Sequence, residues 1–522
     1  MPISKTESKA MHQAQLLASL QLDRASATPM FRQLYAAIKQ AILGGAVEPG
    51  MQLPPTRDFC RLLDISRQTV LNAYAQLTAE GYLQGSVGKG TFISAQLPAI
   101  SRSDAGRAGP GGELHKPDLP VLLRPLSARG RRFAHAEGKM HFHQSKPRAF
   151  RVGMPGLEVF PFEVWSRLEA RRWRRPGAHL GYSDPAGYQP LRELLAVYLK
   201  AARGVDCVAG QIIITSGSQQ ALFLLSSMLL DPGDAAWMES PGYRGASAPL
   251  HAAQVRLCPV PIDAQGLSVQ TGAQLYPDAR LVYTTPSHQL PLGVTMSLQR
   301  RLELLAWASA NRAWVIEDDY DSEYRYSGPT LASLQSLDSA GCVVYVGTLS
   351  KVLFPGLRLG YMVVPAGLVE PLTQAKAVTD KHTAIAPQMV LADFIAEGHF
   401  NRHIKRTRDL YAERRHALLQ ALHGELAEHL VCGPSDAGLD LAVHFSREGS
   451  TSQDEVRIAQ MGLQQGVELR PLKHYDFHAL QSGQMANHRP GLLLGFSSIP
   501  VDEIRQGAAV LANIMRQHHG IA

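Results

Sequence analysis

The chain has 522 residues, more than one hydrophobic core usually organises, so two or more domains are expected. With 45% hydrophobic and 19% charged residues its composition is ordinary for a globular protein, which excludes extensive disorder, and no apolar run approaches the roughly 20 residues of a membrane helix. The net charge of +7 is unevenly placed: residues 1–94 carry +3, residues 95–150 carry +6 and the rest −2, which suggests a polyanionic partner for the front of the chain.

The first nine residues are polar and lack a signal-peptide core. Five scattered cysteines (Cys60, Cys207, Cys258, Cys342, Cys432) form no C-x-x-C pair, which argues against a disulfide framework or a zinc site. A cytoplasmic location without a membrane partner is expected. His399 and His403 stand four apart in a helical stretch, but no third ligand accompanies them, so no metal is expected.

Residues 1–25 show no firm pattern and read as an N-terminal extension. From Pro29 a helical period appears, with Phe31, Leu34, Tyr35, Ile38 and Ile42 on an i, i+3, i+4 course that Gly44-Gly45 ends. A second helix is expected at about 56–63, after Pro55. Past the turn Asp64-Ile65, a third starts behind Ser66, a good N-cap, and stops at Gly81. Leu62, Leu63, Ile65, Val70, Ala73, Tyr74 and Leu77 are the expected core here. Two short β-prone runs in 82–94, around Gly85-Ser-Val-Gly-Lys-Gly90, read as a hairpin. Three helices and a hairpin make a winged helix-turn-helix, whose third helix enters the DNA major groove. At its start Arg67 can pair with guanine, Gln68 suits adenine, and Ser66 and Thr69 can bond phosphate. Arg57, opening the second helix, and Lys89 with Gly90, at the hairpin tip, are further candidates for backbone or minor-groove contact.

Residues 95–150, rich in Gly, Pro, Ser and Arg and without sustained periodicity, read as a basic linker. Beyond it helices alternate with brief apolar strands: Ile212-Ile-Ile-Thr215, Ala236-Trp-Met238, Leu281-Val-Tyr-Thr284, Trp314-Val-Ile316, Val343-Val-Tyr-Val346 and Tyr361-Met-Val-Val364. That rhythm predicts an α/β fold, a mainly parallel sheet flanked by helices, with a smaller α+β subdomain after about residue 386.

Residues at successive strand ends suggest one ligand. Val343-Val-Tyr-Val-Gly-Thr-Leu-Ser-Lys351 runs a strand into a turn presenting a lysine, the residue able to form a Schiff base with an aldehyde cofactor such as pyridoxal phosphate. That cofactor needs a carboxylate at its pyridine nitrogen, for which Trp314-Val-Ile-Glu-Asp-Asp-Tyr320 offers Asp318, with Tyr320 placed for the ring's phenolic oxygen. Gly217, Ser218 and Gln219 open a helix whose free N–H groups suit a phosphate, Thr348 and Arg358 flank the lysine and can complete the cradle, and Tyr243 can stack on the ring.

Two resemblances follow. Pro29-Met-Phe-Arg-Gln-Leu-Tyr, Gly50-Met-Gln-Leu-Pro-Pro-Thr-Arg, Ser66-Arg-Gln-Thr-Val, Gly81-Tyr-Leu and Gly88-Lys-Gly-Thr-Phe92 resemble the GntR family DNA-binding domain, over about residues 26–94. The remainder, about 151–518, is similar to the fold-type I aminotransferases, through Tyr182-Ser-Asp-Pro-Ala-Gly187, Gly217-Ser-Gln-Gln220, Pro241-Gly-Tyr243, Thr285-Pro-Ser-His-Gln-Leu-Pro-Leu-Gly293, Glu317-Asp-Asp-Tyr320 and Ser350-Lys351 with Arg358. Joined, they resemble the MocR subfamily of transcription regulators. The resemblance implies DNA contacts at Arg57, Ser66, Arg67, Thr69 and the wing at Lys89-Gly90. It also implies Lys351 as the Schiff-base lysine, Asp318 as the pyridine partner, and Tyr182 reaching the phosphate of the opposite subunit of a homodimer. Either His288 or Gln289 takes the place of an asparagine that aminotransferases set near the ring oxygen. Where many of these enzymes bind the substrate α-carboxylate with an arginine, Gly491-Leu-Leu-Leu-Gly-Phe-Ser497 has leucines, and Arg470 or Arg489 is left as a candidate for an effector carboxylate. The expected function is a regulator of double-stranded DNA with two operator half-sites, sensing an amino compound or pyridoxal phosphate itself. The alternative is a working aminotransferase with an accessory DNA-binding domain.

Overall fold

Helix α1 (Met30–Leu43), α2 (Thr56–Leu62) and α3 (Arg67–Ala79) turn their apolar stripes inward over a hairpin of β1 (Leu83–Ser86) and β2 (Gly90–Ile93). These belong to the first of two units, Met1–Leu123, the second being Arg124–Ala522. The computed structural model describes residues 20, 22–86, 90–95, 125–135, 148–174, 177, 181–328, 332–477 and 489–519; Lys89 and nearly all of the N-terminal extension lie outside them. The core of the first unit gathers Leu34, Ile38, Phe59, Val70, Ala73, Tyr74, Leu77 and Tyr82. Leu62, expected inside, is 57% exposed, and Leu63 and Ile65 are half-buried. The reason is the shortness of α2, which leaves Phe59, one turn earlier, to fill the core-facing position. The loop before α2 also does more than connect: Gly50 and Leu53 N–H groups donate to Ile93 and Thr91 carbonyls, edging the wing with an extra extended segment.

The second unit begins inside the stretch expected to be linker. There α4 (Ala128–His135) is helical, and Ala149 and Phe150 bridge to Val467 and Gly495. The fold proper then runs α5 (Phe162–Trp173), α6 (Gln189–Arg203), β3 (Ile212–Thr215), α7 (Ser218–Leu229), β4 (Ala235–Ser240), α8 (Arg244–Ala252), β5 (Arg256–Asp263), β6 (Gly266–Leu267), α9 (Val269–Leu275), β7 (Ala279–Thr284), α10 (Leu298–Asn311), β8 (Trp314–Asp319), α11 (Leu334–Leu337), β9 (Val343–Thr348) and β10 (Gly360–Val363). These strands form one sheet in the order β3-β10-β9-β8-β7-β4-β5-β6, in which β10 and β6 run against the rest. Helices α12 (Ala366–Asp380) and α13 (Ile385–Ala396) precede the long α14 (His399–His423). That helix leads to a smaller subdomain of β11 (Leu430–Cys432), β12 (Asp440–Phe445), α15 (Ser452–Gln464), β13 (Arg470–Pro471), β14 (Gly491–Gly495) and α16 (Val501–His519). Its four strands pair antiparallel in the order β11-β12-β14-β13. The crossovers force the large sheet to be covered on both faces, and β3, β4, β8 and β9 are buried almost throughout.

Candidate cofactor and DNA sites

Strands β3, β4, β7, β8 and β9 end at the same edge of the sheet, where open α/β sheets gather ligands. Asp318, near the end of β8, is 5% exposed. The Tyr283 hydroxyl donates to its Oδ2 at 2.7 Å, while Oδ1 is enclosed without a protein partner. Burial, against the pull of the Tyr283 bond and with neighbouring acids adding to it, pushes this carboxyl up to about 7. An enclosed carboxylate oxygen with nothing to accept from is costly. A protonated ring nitrogen satisfies it.

Alternation along β8 turns the flanking acids to the other face. Glu317 accepts the Leu334 and Gln335 N–H groups (both 2.9 Å), and Asp319 accepts the Tyr345 hydroxyl (2.6 Å). A cavity of about 340 Å³ opens on that Asp319 side, lined by Arg203, Glu323, Arg325 and Arg408 among others, and shares no residue with the crevice at Asp318. Its most buried cation, Arg203, is already paired with Glu323 at 2.6 Å.

Lys351, in the turn after β9, donates from Nζ to the Gly153 carbonyl. A Cβ on Gly153, whose φ is +71°, would stand 2.8 Å from that Nζ. Burial lowers the Lys351 pKa from the ordinary lysine value, with Asp440, Asp321 and Asp318 pulling the other way. The amine is thereby readied as a nucleophile.

At the start of α7, Gly217 (φ +87°) holds the chain open beside Arg358, whose Nη2 donates to the Ser216 carbonyl at 2.9 Å. A side chain at Gly217 would meet that guanidinium at 3.2 Å. Ser218 and Gln219 supply first-turn N–H groups, which with the guanidinium suit a dianion. Thr348 closes β9, its Oγ1 accepting the Ser350 N–H at 3.3 Å. Gln219 Nε2 donates to the Gly245 carbonyl (3.0 Å) and the Tyr243 hydroxyl (3.2 Å), which fixes Tyr243 at the head of α8.

The structure separates His288 from Gln289. His288 Nδ1 lies 3.0 Å from both the Tyr320 hydroxyl and Asp321 Oδ2. Although burial opposes it, the Asp321 charge and hydrogen bond raise the His288 pKa above the usual imidazole value. Gln289 instead spends its amide nitrogen on Glu239 of β4, on the Pro241 carbonyl just past that strand and on the Leu290 carbonyl beside it. His288 is therefore the member of the pair linked to Tyr320.

Register assigns the leucines of β14. Leu492 and Leu494 face the small-domain core, whereas Leu493 turns the other way with Ala442, Leu472 and Tyr475. Leu493 stands opposite Ala442 on one side and Arg470 on the other, so Arg470 shares that face. Arg489 does not: its guanidinium donates to the Phe445 carbonyl (3.1 Å), at the end of β12 remote from Asp440. Tyr182 is 88% exposed, and among the described ring contacts it meets only the edge of His382. His403 is taken up by the Val352 carbonyl (2.9 Å).

Sequence reasoning missed Tyr283, Asp321, Gly153 and Asp440. Tyr283 and Asp321 adjoin recognised strand ends, so alternation could have found them. Gly153 and Asp440 carry no local signal.

In the first unit, Ser66 caps α3: its Oγ accepts the Thr69 N–H at 3.1 Å and lies 2.8 Å from Thr69 Oγ1. Such a cap is worth about 1 kcal/mol. The two hydroxyls are thus committed to the helix start, while Arg67 and Gln68 are exposed beside it, Gln68 bonding Asn72 at 2.8 Å. Arg57 and Gly90 are also exposed.

One edge of the sheet accordingly gathers a buried amine, an acid with an unserved oxygen and a helix start beside an arginine, groups of the kinds that a phosphorylated aldehyde cofactor uses. Residues 31–93 match the bacterial regulatory proteins of the gntR family, and residues 156–483 match aminotransferase class I and II. The chain is 38% identical to the "Probable rhizopine catabolism regulatory protein MocR" of Rhizobium meliloti over 94% of each protein. Among solved structures it is similar to Pyrococcus horikoshii kynurenine aminotransferase, solved with PMP (29% identity, TM-score 0.65, 76% of this chain and 96% of that one). It is also similar to the α-aminoadipate aminotransferase LysN of Thermus thermophilus (27% identity, TM-score 0.64, 72% and 93%). Among the described residues no helix is long and apolar enough to cross a membrane.

Proposed function

Because the chain belongs to the MocR-type regulators, a gntR-family DNA-binding unit joined to a class I and II aminotransferase fold, we propose that it is a cytoplasmic transcription regulator answering to pyridoxal phosphate or an amino compound. The observation that carries the cofactor reading is Asp318 Oδ1, enclosed and unpartnered in the crevice that holds the Lys351 amine.

When bound, pyridoxal phosphate supplies an electrophilic aldehyde and an electron-withdrawing ring. Lys351 offers an amine that burial keeps readier to lose its proton than an ordinary lysine. Asp318 would accept a hydrogen bond from the protonated ring nitrogen, Arg358 and the first turn of α7 would hold the phosphate, and Tyr243 would cover the ring. Tyr320, whose hydroxyl meets His288 at the nitrogen that Asp321 also reaches, would serve the ring oxygen. In the DNA-binding unit Arg67 and Gln68 read base edges, and Arg57 and the wing at Lys89-Gly90 touch the backbone. Two such units in a homodimer engage two half-sites. Leu493, where an arginine would hold an α-carboxylate, favours sensing over ordinary transamination.

The test is footprinting of the protein's own upstream region with and without pyridoxal phosphate, alongside its absorption spectrum. Protected half-sites that change with the cofactor, a yellow preparation, loss of colour in Lys351→Ala and at least a tenfold loss of DNA affinity in Arg67→Ala are expected. A colourless wild type, or protection indifferent to Arg67→Ala, overturns the corresponding half of the reading.

A further inference from the structure

Asp440 stands at the start of β12 and is 9% exposed, yet none of the large-domain motifs leads to it. Its Oδ1 accepts the Gly153 N–H at 2.9 Å, and the carbonyl of that same glycine accepts from Lys351. One residue thus separates a buried carboxylate from the amine where an incoming ligand reacts. Oδ2 has no hydrogen-bond partner among the described residues. The β12–β14 register places Asp440 opposite Gly495 and Ala442 opposite Leu493. Since Asp440 and Ala442 are two apart, Asp440 shares the face of Leu493. That face therefore carries a leucine from the stretch in which a carboxylate-binding arginine is expected, an acid on the strand to one side of it and Arg470 on the strand to the other. Asp318 and Asp321 add negative charge around the same amine.

We propose that Asp440 is the specificity-determining residue of the effector pocket, and that it selects amines bearing no carboxylate on the carbon attached to the reacting nitrogen. A ligand with an α-carboxylate would bring its anion beside a buried carboxylate, with Leu493 standing between that acid and Arg470, the cation of the same face, two strands away from Asp440. An amine without that group meets no such repulsion. The inference rests on the cofactor reading above, because it takes Lys351 as the point of reaction.

Asp440→Asn isolates the charge, since the asparagine oxygen still accepts from Gly153. The pyridoxal-phosphate-loaded full-length protein is titrated with 1-aminopropane and with L-2-aminobutyrate, which differ only in the α-carboxylate. The absorbance change of the bound cofactor is followed, and each amine is normalised to its reaction with free pyridoxal phosphate. Wild type is expected to respond to 1-aminopropane at a concentration at least tenfold lower, and Asp440→Asn to narrow that preference to threefold or less. A wild type that responds equally to both, that favours the amino acid or that responds to neither overturns the proposal, as does a preference unchanged in Asp440→Asn. Protein that takes up no cofactor overturns the cofactor reading together with the proposal, whereas a loaded protein lacking the preference overturns the proposal alone.

Discussion

Asp318 has one of its oxygens served by the protein and the other left waiting. Unfolded, an aspartate titrates near 3.9; folded without cofactor, this one sits at about 7. Between those values the folded chain holds the extra proton, so this group's contribution to stability falls as pH rises and is most unfavourable above 7. Asp318→Asn removes the charge while keeping an acceptor for Tyr283. At pH 8 the cofactor-free variant is expected to be more stable than cofactor-free wild type by about 1–3 kcal/mol, with the gap closing toward pH 4. Its affinity for pyridoxal phosphate should fall about 10- to 100-fold. Thermal denaturation across pH and an absorbance titration measure the two effects; a variant less stable than wild type at pH 8 would contradict the assignment.

Helix α4 reaches both helices that frame the crevice. Arg129 Nε donates to the Ala252 carbonyl at 3.0 Å, at the C-terminal end of α8, and Phe133 packs edge-on against Phe223 of α7 at 6.2 Å. A cation at a helix C-terminus is favourable by about 0.3–1 kcal/mol. Because α7 follows Gly217 and α8 follows Tyr243, α4 is anchored to the two helices that carry candidate cofactor residues, and the effector's influence on DNA binding is expected to depend on that anchorage. The double variant Arg129→Ala, Phe133→Ala is expected to keep the wild-type cofactor spectrum and effector titration while losing at least half of the effector's influence on DNA affinity, read by gel retardation. Full influence in the variant would dismiss this route.

The same helix shows where sequence reading stops. Its arginine-rich run has one large apolar residue, so no period betrays it; its docking partners do. Strand β5 is hidden by Pro259 and Pro261, which sit two apart and so withhold N–H groups from one side only, tolerable near an edge. The β-branched strands and the motifs at their ends were legible because each large-domain site residue sits beside a local signal. Asp440 was not, because only the return of the chain across 287 positions brings it to Gly153.

For the whole molecule, the exposure of Tyr182 gives the expected dimer a direct test. If each Tyr182 serves the opposite subunit, Tyr182→Phe and Lys351→Ala chains should each bind pyridoxal phosphate poorly alone. Refolded or co-expressed together, they should regain a tightly coloured fraction, because one of the two hybrid sites then holds both wild-type residues. No recovery on mixing, measured by retained absorbance after gel filtration, would place the tyrosine's role within its own chain or nowhere.

The docking of α4 also bears on where the chain can be divided. Arg129 and Phe133 fasten that helix to α8 and α7, inside the stretch that composition marks as linker. A promoter-binding fragment can therefore be cut away without disturbing the large domain only if the cut falls before Ala128, and a cut at the linker's far end would strip a packed helix from the body it was meant to spare.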